Sequence, residues 1–220
     1  MTYQHQWQDG RSIDWPLGKV VCVGRNYAQH AAELNNPVPE QPLLFIKPAS
    51  AVVPLSDPIR LPTGQGDVHY EAELAVLIGK PLYHASESAV RDASVGIGLA
   101  LDLTLRDLQS ELKAKGHPWE RAKAFDGACP LSNFIPLHPG DNFGNLSFSL
   151  AIDGEIRQRG HTGDMITPVL TLIAYASETF SLQPGDVVLT GTPAGVGALN
   201  SGQRLDLELD GRLRVETSVE

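Results

Sequence analysis

Glu71 and Glu73 stand two residues apart in the run His69-Tyr70-Glu71-Ala72-Glu73-Leu74-Ala75-Val76-Leu77-Ile78-Gly79. The run reads as a strand, and strand side chains alternate faces, so both glutamates point the same way. Two adjacent carboxylates repel. A bound cation would turn that repulsion into attraction, whereas a solvent-facing strand end would leave the pair harmless. A second run, Val95-Gly96-Ile97-Gly98-Leu99-Ala100-Leu101-Asp102-Leu103, sets one aspartate among apolar residues and glycines. A buried carboxylate without a partner is costly, so Asp102 is expected to meet a cation or a metal. Three carboxylates from two strands make a hard, all-oxygen site suited to Mg2+ or Mn2+, with Ca2+ also admissible, rather than Zn2+. His69 would share the face of Glu71. As a ligand it would turn the set toward non-haem iron or manganese; otherwise it is a neighbour of the site or a surface residue.

Other residues have chemistry in reach but weaker spacing. His30 and Glu33 are three apart and share a face if 28–34 is helical; a carboxylate beside an imidazole orients it and fixes its tautomer. By spacing alone a surface pair is the more ordinary reading. Arg106 and Gln109 are also three apart, and Lys123 lies in Arg121-Ala122-Lys123-Ala124-Phe125-Asp126. Taken alone, each could be a solvated side chain.

These residues need strands to position them, and the chain is rich in short apolar runs punctuated by Gly and Pro. Strands are expected at 20–24, 43–47, 51–54, 72–78, 95–103, 147–152, 186–190 and 205–209. Asp210-Gly211 signals a hairpin to 213–215, and Asp153-Gly154 a weaker one. Helices are fewer: 103–115, with Leu105, Leu108 and Leu112 on one side, 28–34, and 167–180 with Thr167 as N-cap and Pro168 at the first helical position. The 220 residues suit one β-rich core.

A formal net charge of −9 argues against a nucleic-acid partner. No run approaches the length of a membrane span. The two cysteines, Cys22 and Cys129, cannot form a disulfide scaffold, and Cys22 sits in an apolar run as a buried thiol would. The start MTYQHQWQDG has no secretory pattern, so a cytoplasmic location is expected.

Five motifs in order resemble the fumarylacetoacetate hydrolase family, closest to its short acylpyruvate hydrolase and oxaloacetate decarboxylase branch. They are Gly24-Arg25-Asn26-Tyr27-Ala28-Gln29-His30, Tyr70-Glu71-Ala72-Glu73-Leu74 and Asp102-Leu103-Thr104-Leu105-Arg106-Asp107-Leu108-Gln109, then Lys123-Ala124-Phe125-Asp126 and Pro184-Gly185-Asp186 leading to Gly191-Thr192-Pro193-Ala194-Gly195-Val196-Gly197. The resemblance implies an α+β, β-rich fold, a mixed β-roll with a few short helices. It implies a catalytic domain at 17–220 after an extension at 1–16, and a homodimer. It places Mg2+ or Mn2+ on Glu71, Glu73 and Asp102, and treats His69 as non-ligating.

The resemblance also assigns roles. His30 becomes a general base held by Glu33, on a segment able to act as a lid. Lys123 becomes a cation facing the substrate. Arg106, Gln109 and Thr192 become substrate contacts, with Arg25 and Lys47 as further candidates. The small-molecule substrate would be a 2-oxo acid, whose carboxylate and keto oxygens can chelate one metal. The leading expectation is hydrolysis of the C–C bond of an acylpyruvate, with oxaloacetate decarboxylation as a possible companion. The alternative is a metal-dependent isomerase or tautomerase of 2-oxo acids. An iron oxygenase using His69 and a catalytically silent β-domain complete the set.

Overall fold

The structure, a computed structural model, describes residues 3–34, 36–138 and 140–220. In chain order the strands are β1 (Lys19–Gly24), β2 (Leu43–Pro48), β3 (Val52–Pro54), β4 (Val68–Tyr70), β5 (Ala72–Ile78), β6 (Ser94–Leu101), β7 (Thr104–Leu105) and β8 (Cys129–Leu131). They continue with β9 (Ile135–Pro136), β10 (Ser147–Ile152), β11 (Glu155–His161), β12 (Val187–Leu189), β13 (Gly197–Ala198), β14 (Arg204–Leu209) and β15 (Leu213–Ser218). The helices are α1 (Ala28–Glu33), α2 (Glu87–Ala93), α3 (Arg106–Ala114), α4 (Glu120–Lys123) and α5 (Val169–Thr179). The fold is α+β and strand-rich, as expected.

A mixed eight-stranded sheet runs β2-β1-β12-β5-β6-β8-β3, with β9 pairing β6; β1–β12 and β3–β8 are its parallel pairs. A four-stranded antiparallel sheet, β11-β10-β14-β15, and a short one, β13-β4-β7, complete the described strands. The centre of the large sheet is buried on both faces, which is why β5 and β6 read as unbroken apolar runs. Their residues still divide by parity. Leu74, Val76 and Ile78 of β5 join Ile97, Leu99 and Leu101 of β6 in one core. Ala75, Leu77 and Ala100 face a second core with Val20, Cys22 and Phe134. Glu73 has the parity of that second core, where the cluster of acidic residues gathers.

Several expectations are corrected. The run 69–79 is two strands, because the chain breaks at Glu71: β4 turns into the short sheet beside β7 and β13, carrying His69 with it. The run 95–103 ends at Leu101, so Asp102 sits just beyond the strand, and α3 begins at Arg106 rather than Leu103. Thr167 does not cap α5. Pro168 holds the N-cap position, and the Thr167 backbone is instead taken by Asn26, whose Oδ1 accepts from its N–H at 2.8 Å. The Asp153-Gly154 turn forms a hairpin as clearly as Asp210-Gly211, each aspartate and glycine having positive φ. Residues 3–16 lie against the second core: His5 and Ile13 are buried, and Trp7 bridges Phe134. Among the described residues, no helix is long and apolar enough to cross a membrane.

The turn before β12 fixes the strands that lead to the acidic cluster. Asp186 is buried; its Oδ1 accepts from Lys19 N at 2.9 Å, its Oδ2 from Gln183 N at 2.8 Å, and Lys19 Nζ pairs with it. Replacing it with alanine removes all three. Asp186→Ala is expected to cost about 2–4 kcal/mol, read as a lower urea midpoint at unchanged m-value.

Candidate functional site

The ends of β5 and β6 bring the three carboxylates together. The strands are antiparallel with Glu73 opposite Ala100, and Asp102 N donates to Glu71 O at 2.8 Å where the ladder runs out. Glu71, Glu73 and Asp102 are all buried, each offering an oxygen within 4.8 Å of the others. His69 is not in this group.

Three cations surround them. Lys123, from α4, donates to Glu71 Oε2 at 2.8 Å and Asp102 Oδ2 at 2.7 Å, and its ammonium lies 5.1 Å from the Phe45 ring centroid. Arg106, at the start of α3, pairs with the other oxygen of Glu71. Lys47 lies 2.8 Å from Asp102 Oδ1. Its three N–H groups, however, point to the carbonyls of Leu103, Lys123 and Ala128. Asp102 Oδ1 is therefore ion-paired yet receives no hydrogen bond.

The electrostatics divide the two glutamates. Burial alone would raise Glu71, but Lys123, Arg106 and His30 pull it well below the usual carboxylate range. Glu73 is pushed well above that range by burial and by the charges of Asp102 and Glu71, although Gly191 N donates to its Oε2 at 2.7 Å. Burial would lower Lys123, and the carboxylates of Asp102 and Glu71 raise it. A hard divalent cation fits this set. It would find only oxygen donors, a buried Asp102 oxygen with no hydrogen bond, and a glutamate whose ionisation is opposed by its neighbours.

The cluster opens on a cleft of about 420 Å³, counting the part open to solvent. Glu71, Glu73, Asp102, Arg106, Gln109 and Lys123 line it, as do Arg25, His30 and Thr192. His30 Nδ1 lies 3.4 Å from Glu33 Oε2, and both Glu33 oxygens accept from Gly195 N, at 3.0 and 3.2 Å. The glycine-rich loop thus braces the helix that carries the histidine. Gly195 has φ +98°, and a Cβ there would meet Arg157 O at 2.0 Å. Nothing larger than glycine fits.

Two candidates sit differently from expectation. Lys47 does not face the cleft; it is buried behind Asp102 with its donors committed to carbonyls. The Thr192 hydroxyl donates to Ala72 O at 2.9 Å and accepts from Gln158 at 2.8 Å, so its proton holds the loop to β5. Gln109 Oε1 accepts from Arg106 at 2.7 Å, which leaves the amide nitrogen of Gln109 as its donor. Asn26 is a residue that spacing alone does not single out. Buried beside the site, it donates to Thr167 O and Thr190 O and joins β1, α5 and β12. Its place between Arg25 and Tyr27 in the first motif was the available signal. Cys22 and Cys129 are buried under the sheet, and burial pushes the Cys129 thiol up to about 12.

A profile for the C-terminal domain of fumarylacetoacetate (FAA) hydrolase matches residues 19–220. Oxaloacetate tautomerase YcgM of Escherichia coli (strain K12) is 54% identical over 213 residues, 96% of this chain and 96% of that protein. Among solved structures, a fumarylacetoacetate hydrolase family protein from Yersinia pestis CO92 superposes with a TM-score of 0.96 at 51% identity, covering 99% of this chain and 100% of that one. A fumarylpyruvate hydrolase from Pseudomonas aeruginosa, in complex with Mn2+ and pyruvate, gives 0.92 at 37% identity, covering 99% and 95%.

The cluster makes a direct prediction for metal binding. Glu73 holds its proton to higher pH than a free glutamate, so an ion must expel it. Apparent Mn2+ affinity should fall as pH is lowered, and calorimetry in buffers of different ionisation enthalpy should show proton release. Glu73→Gln should weaken binding by at least about tenfold and abolish that release.

Proposed function

Because the chain belongs to the fumarylacetoacetate hydrolase family, we propose that it is a divalent-metal-dependent enzyme of small 2-oxo acids whose reaction is keto–enol interconversion of oxaloacetate. One observation carries the reading: the three-carboxylate cluster and a glutamate-braced histidine line the same cleft. Enolisation needs both, a site for negative charge at the C2 oxygen and a base for the C3 proton. The likeness to a bacterial oxaloacetate tautomerase supports the choice of substrate.

In this reading Glu71, Glu73 and Asp102 hold Mg2+ or Mn2+. Such an ion, when bound, supplies a Lewis acid for the adjacent carboxylate and keto oxygens of the substrate. Arg106 and Gln109 orient the C1 carboxylate by charge and by amide donation. Lys123, charged because two carboxylates hold it so, lies beside the C2 oxygen where negative charge develops. His30 presents Nε2, since Nδ1 faces Glu33. The C3 proton passes to Nε2 and its bonding pair becomes the C2–C3 double bond as the C2=O π pair moves onto oxygen. That oxygen then takes a proton from solvent to give the enol, and the imidazolium returns its own proton to solvent. The reverse path returns the proton through the same imidazole.

A second reading keeps the site and changes the bond broken: hydrolysis of an acylpyruvate, with His30 activating water against the acyl carbon. The His30–Glu33 pair favours it, as does the likeness to a fumarylpyruvate hydrolase. Oxaloacetate decarboxylation would pass through the same pyruvate enolate. An iron oxygenase has less support, because His69 stands apart from the carboxylates.

The test follows enol absorbance and pyruvate release together, in Mg2+ or Mn2+, with oxaloacetate, acylpyruvates and fumarylpyruvate as substrates. The protein is expected to speed enol-to-keto relaxation without releasing pyruvate, and Glu73→Ala to lose this. Acylpyruvate cleavage without any effect on oxaloacetate relaxation would replace the first reading by the second. His30→Ala is expected to lower kcat by about 10²–10⁴ while Mn2+ affinity stays unchanged.

A further inference from the structure

The cleft differs electrostatically between its inner end and its mouth. At the inner end each cation is matched: Lys47 and Lys123 with Asp102, Lys123 and Arg106 with Glu71. Arg25 and Lys113 line the same cleft but take part in none of these pairs. Their hydrogen bonds go to neutral groups instead. Lys113 Nζ donates to Asn36 Oδ1 at 2.9 Å, and Arg25 donates to Pro37 O at 3.4 Å. In a chain of net charge −9, two cations that line one cleft and pair with no carboxylate among the described residues need a physical reason.

The fold directs both side chains there. On α3, Arg106, Gln109 and Lys113 follow at three- and four-residue spacing, one face of the helix, while Leu112 is buried in the core. Arg25 has φ 62°, the left-handed region that a side chain adopts at a cost in free energy. Burial lowers Lys113 from the usual lysine value, and the charges of Arg25 and Arg106 add to the effect. An anion held between them would relieve it.

We propose that Lys113, with Arg25, receives the remote carboxylate of a dicarboxylic 2-oxo acid and so determines specificity for substrates that carry one. The proposal rests on the 2-oxo acid reading for what occupies the inner end, where the ketoacid head is bound. The tail of a four-carbon diacid then points out toward the mouth. A substrate without the second carboxylate gains nothing from either cation, so discrimination comes from the attraction that only the diacid receives.

The matched probes are oxaloacetate and its 4-methyl ester, which has the same ketoacid head and a neutral tail. Lys113→Met keeps the apolar stem and removes the charge. It is expected to raise KM for oxaloacetate by about tenfold or more, with kcat within about twofold, as loss of a charge-assisted contact made equally in ground and transition states would do. Turnover of the ester should stay within about twofold of wild type, and Lys113→Arg should recover most of the loss. Asn36→Ala removes only the bond to a neutral partner and should keep the wild-type ratio between the two substrates. Equal losses on diacid and ester in Lys113→Met would mean that the lysine merely anchors 36–37, and would overturn the proposal; so would no change on either. Calorimetric titration of the Mn2+-loaded protein with each compound separates this from failure of the functional reading. If the wild type turns over neither compound, weaker binding of the diacid alone by Lys113→Met still upholds the carboxylate clamp, and unchanged binding of both overturns it.

Discussion

Three acidic side chains crowded into a low-dielectric space set the terms for everything around them. Left alone they could not all ionise, because each charge raises the cost of the next. The chain answers by surrounding them with cations from three separate segments, Lys47 on β2, Arg106 on α3 and Lys123 on α4. Even so, Glu73 stays reluctant to lose its proton. The large sheet exists, in this sense, to hold β5 and β6 in the register that forces the encounter. The flanking helices deliver the compensating charge. A polar cluster of this kind contributes little net stability, and its oxygen donors suit a doubly charged ion.

The cluster was legible in the sequence because it broke the local rules. Two glutamates one pleat apart and an aspartate ending an apolar run have no packing reason to be there. The long central strands were legible for the opposite reason, as unbroken apolar runs with glycines between them. The break at Glu71 was not, since tertiary pairing of His69 with Ala198 and Thr104 decides where one strand ends and the next begins. Lys47 was misread for a related reason. A lysine in an apolar strand can face a cleft or be buried with its donors committed, and only the positions of the Leu103, Lys123 and Ala128 carbonyls distinguish these. Thr192 shows the same limit, because its hydroxyl partners lie 34 and 120 positions away along the chain. Lys113 could have been found. Its spacing from Arg106 and Gln109 was the same helical signal that singled out those two.

The walls of the cleft are built by different means. The acidic wall hangs from the ends of two paired strands and is rigid by construction. The histidine wall is a helix of six residues with no side-chain cap. Such a helix has little stability of its own. It is held from outside: Glu33 reaches the glycine-rich loop, and the chain that follows is gripped by Arg25 and Lys113 through Asn36 and Pro37. A short, externally tethered element thus stands beside one built into the sheet.

The tether at Gly195 carries a further implication. Glu33 is anchored by a peptide N–H, a group that no exchange of one non-proline side chain for another can delete, at a position whose curvature excludes every residue with a Cβ. The aim of the imidazole is therefore governed by the main chain of a distant turn rather than by the dyad itself. Fine adjustment of the imidazole would come from the flanks of that turn, where the peptide plane can be tilted by fractions of an ångström while both members of the pair keep their identity.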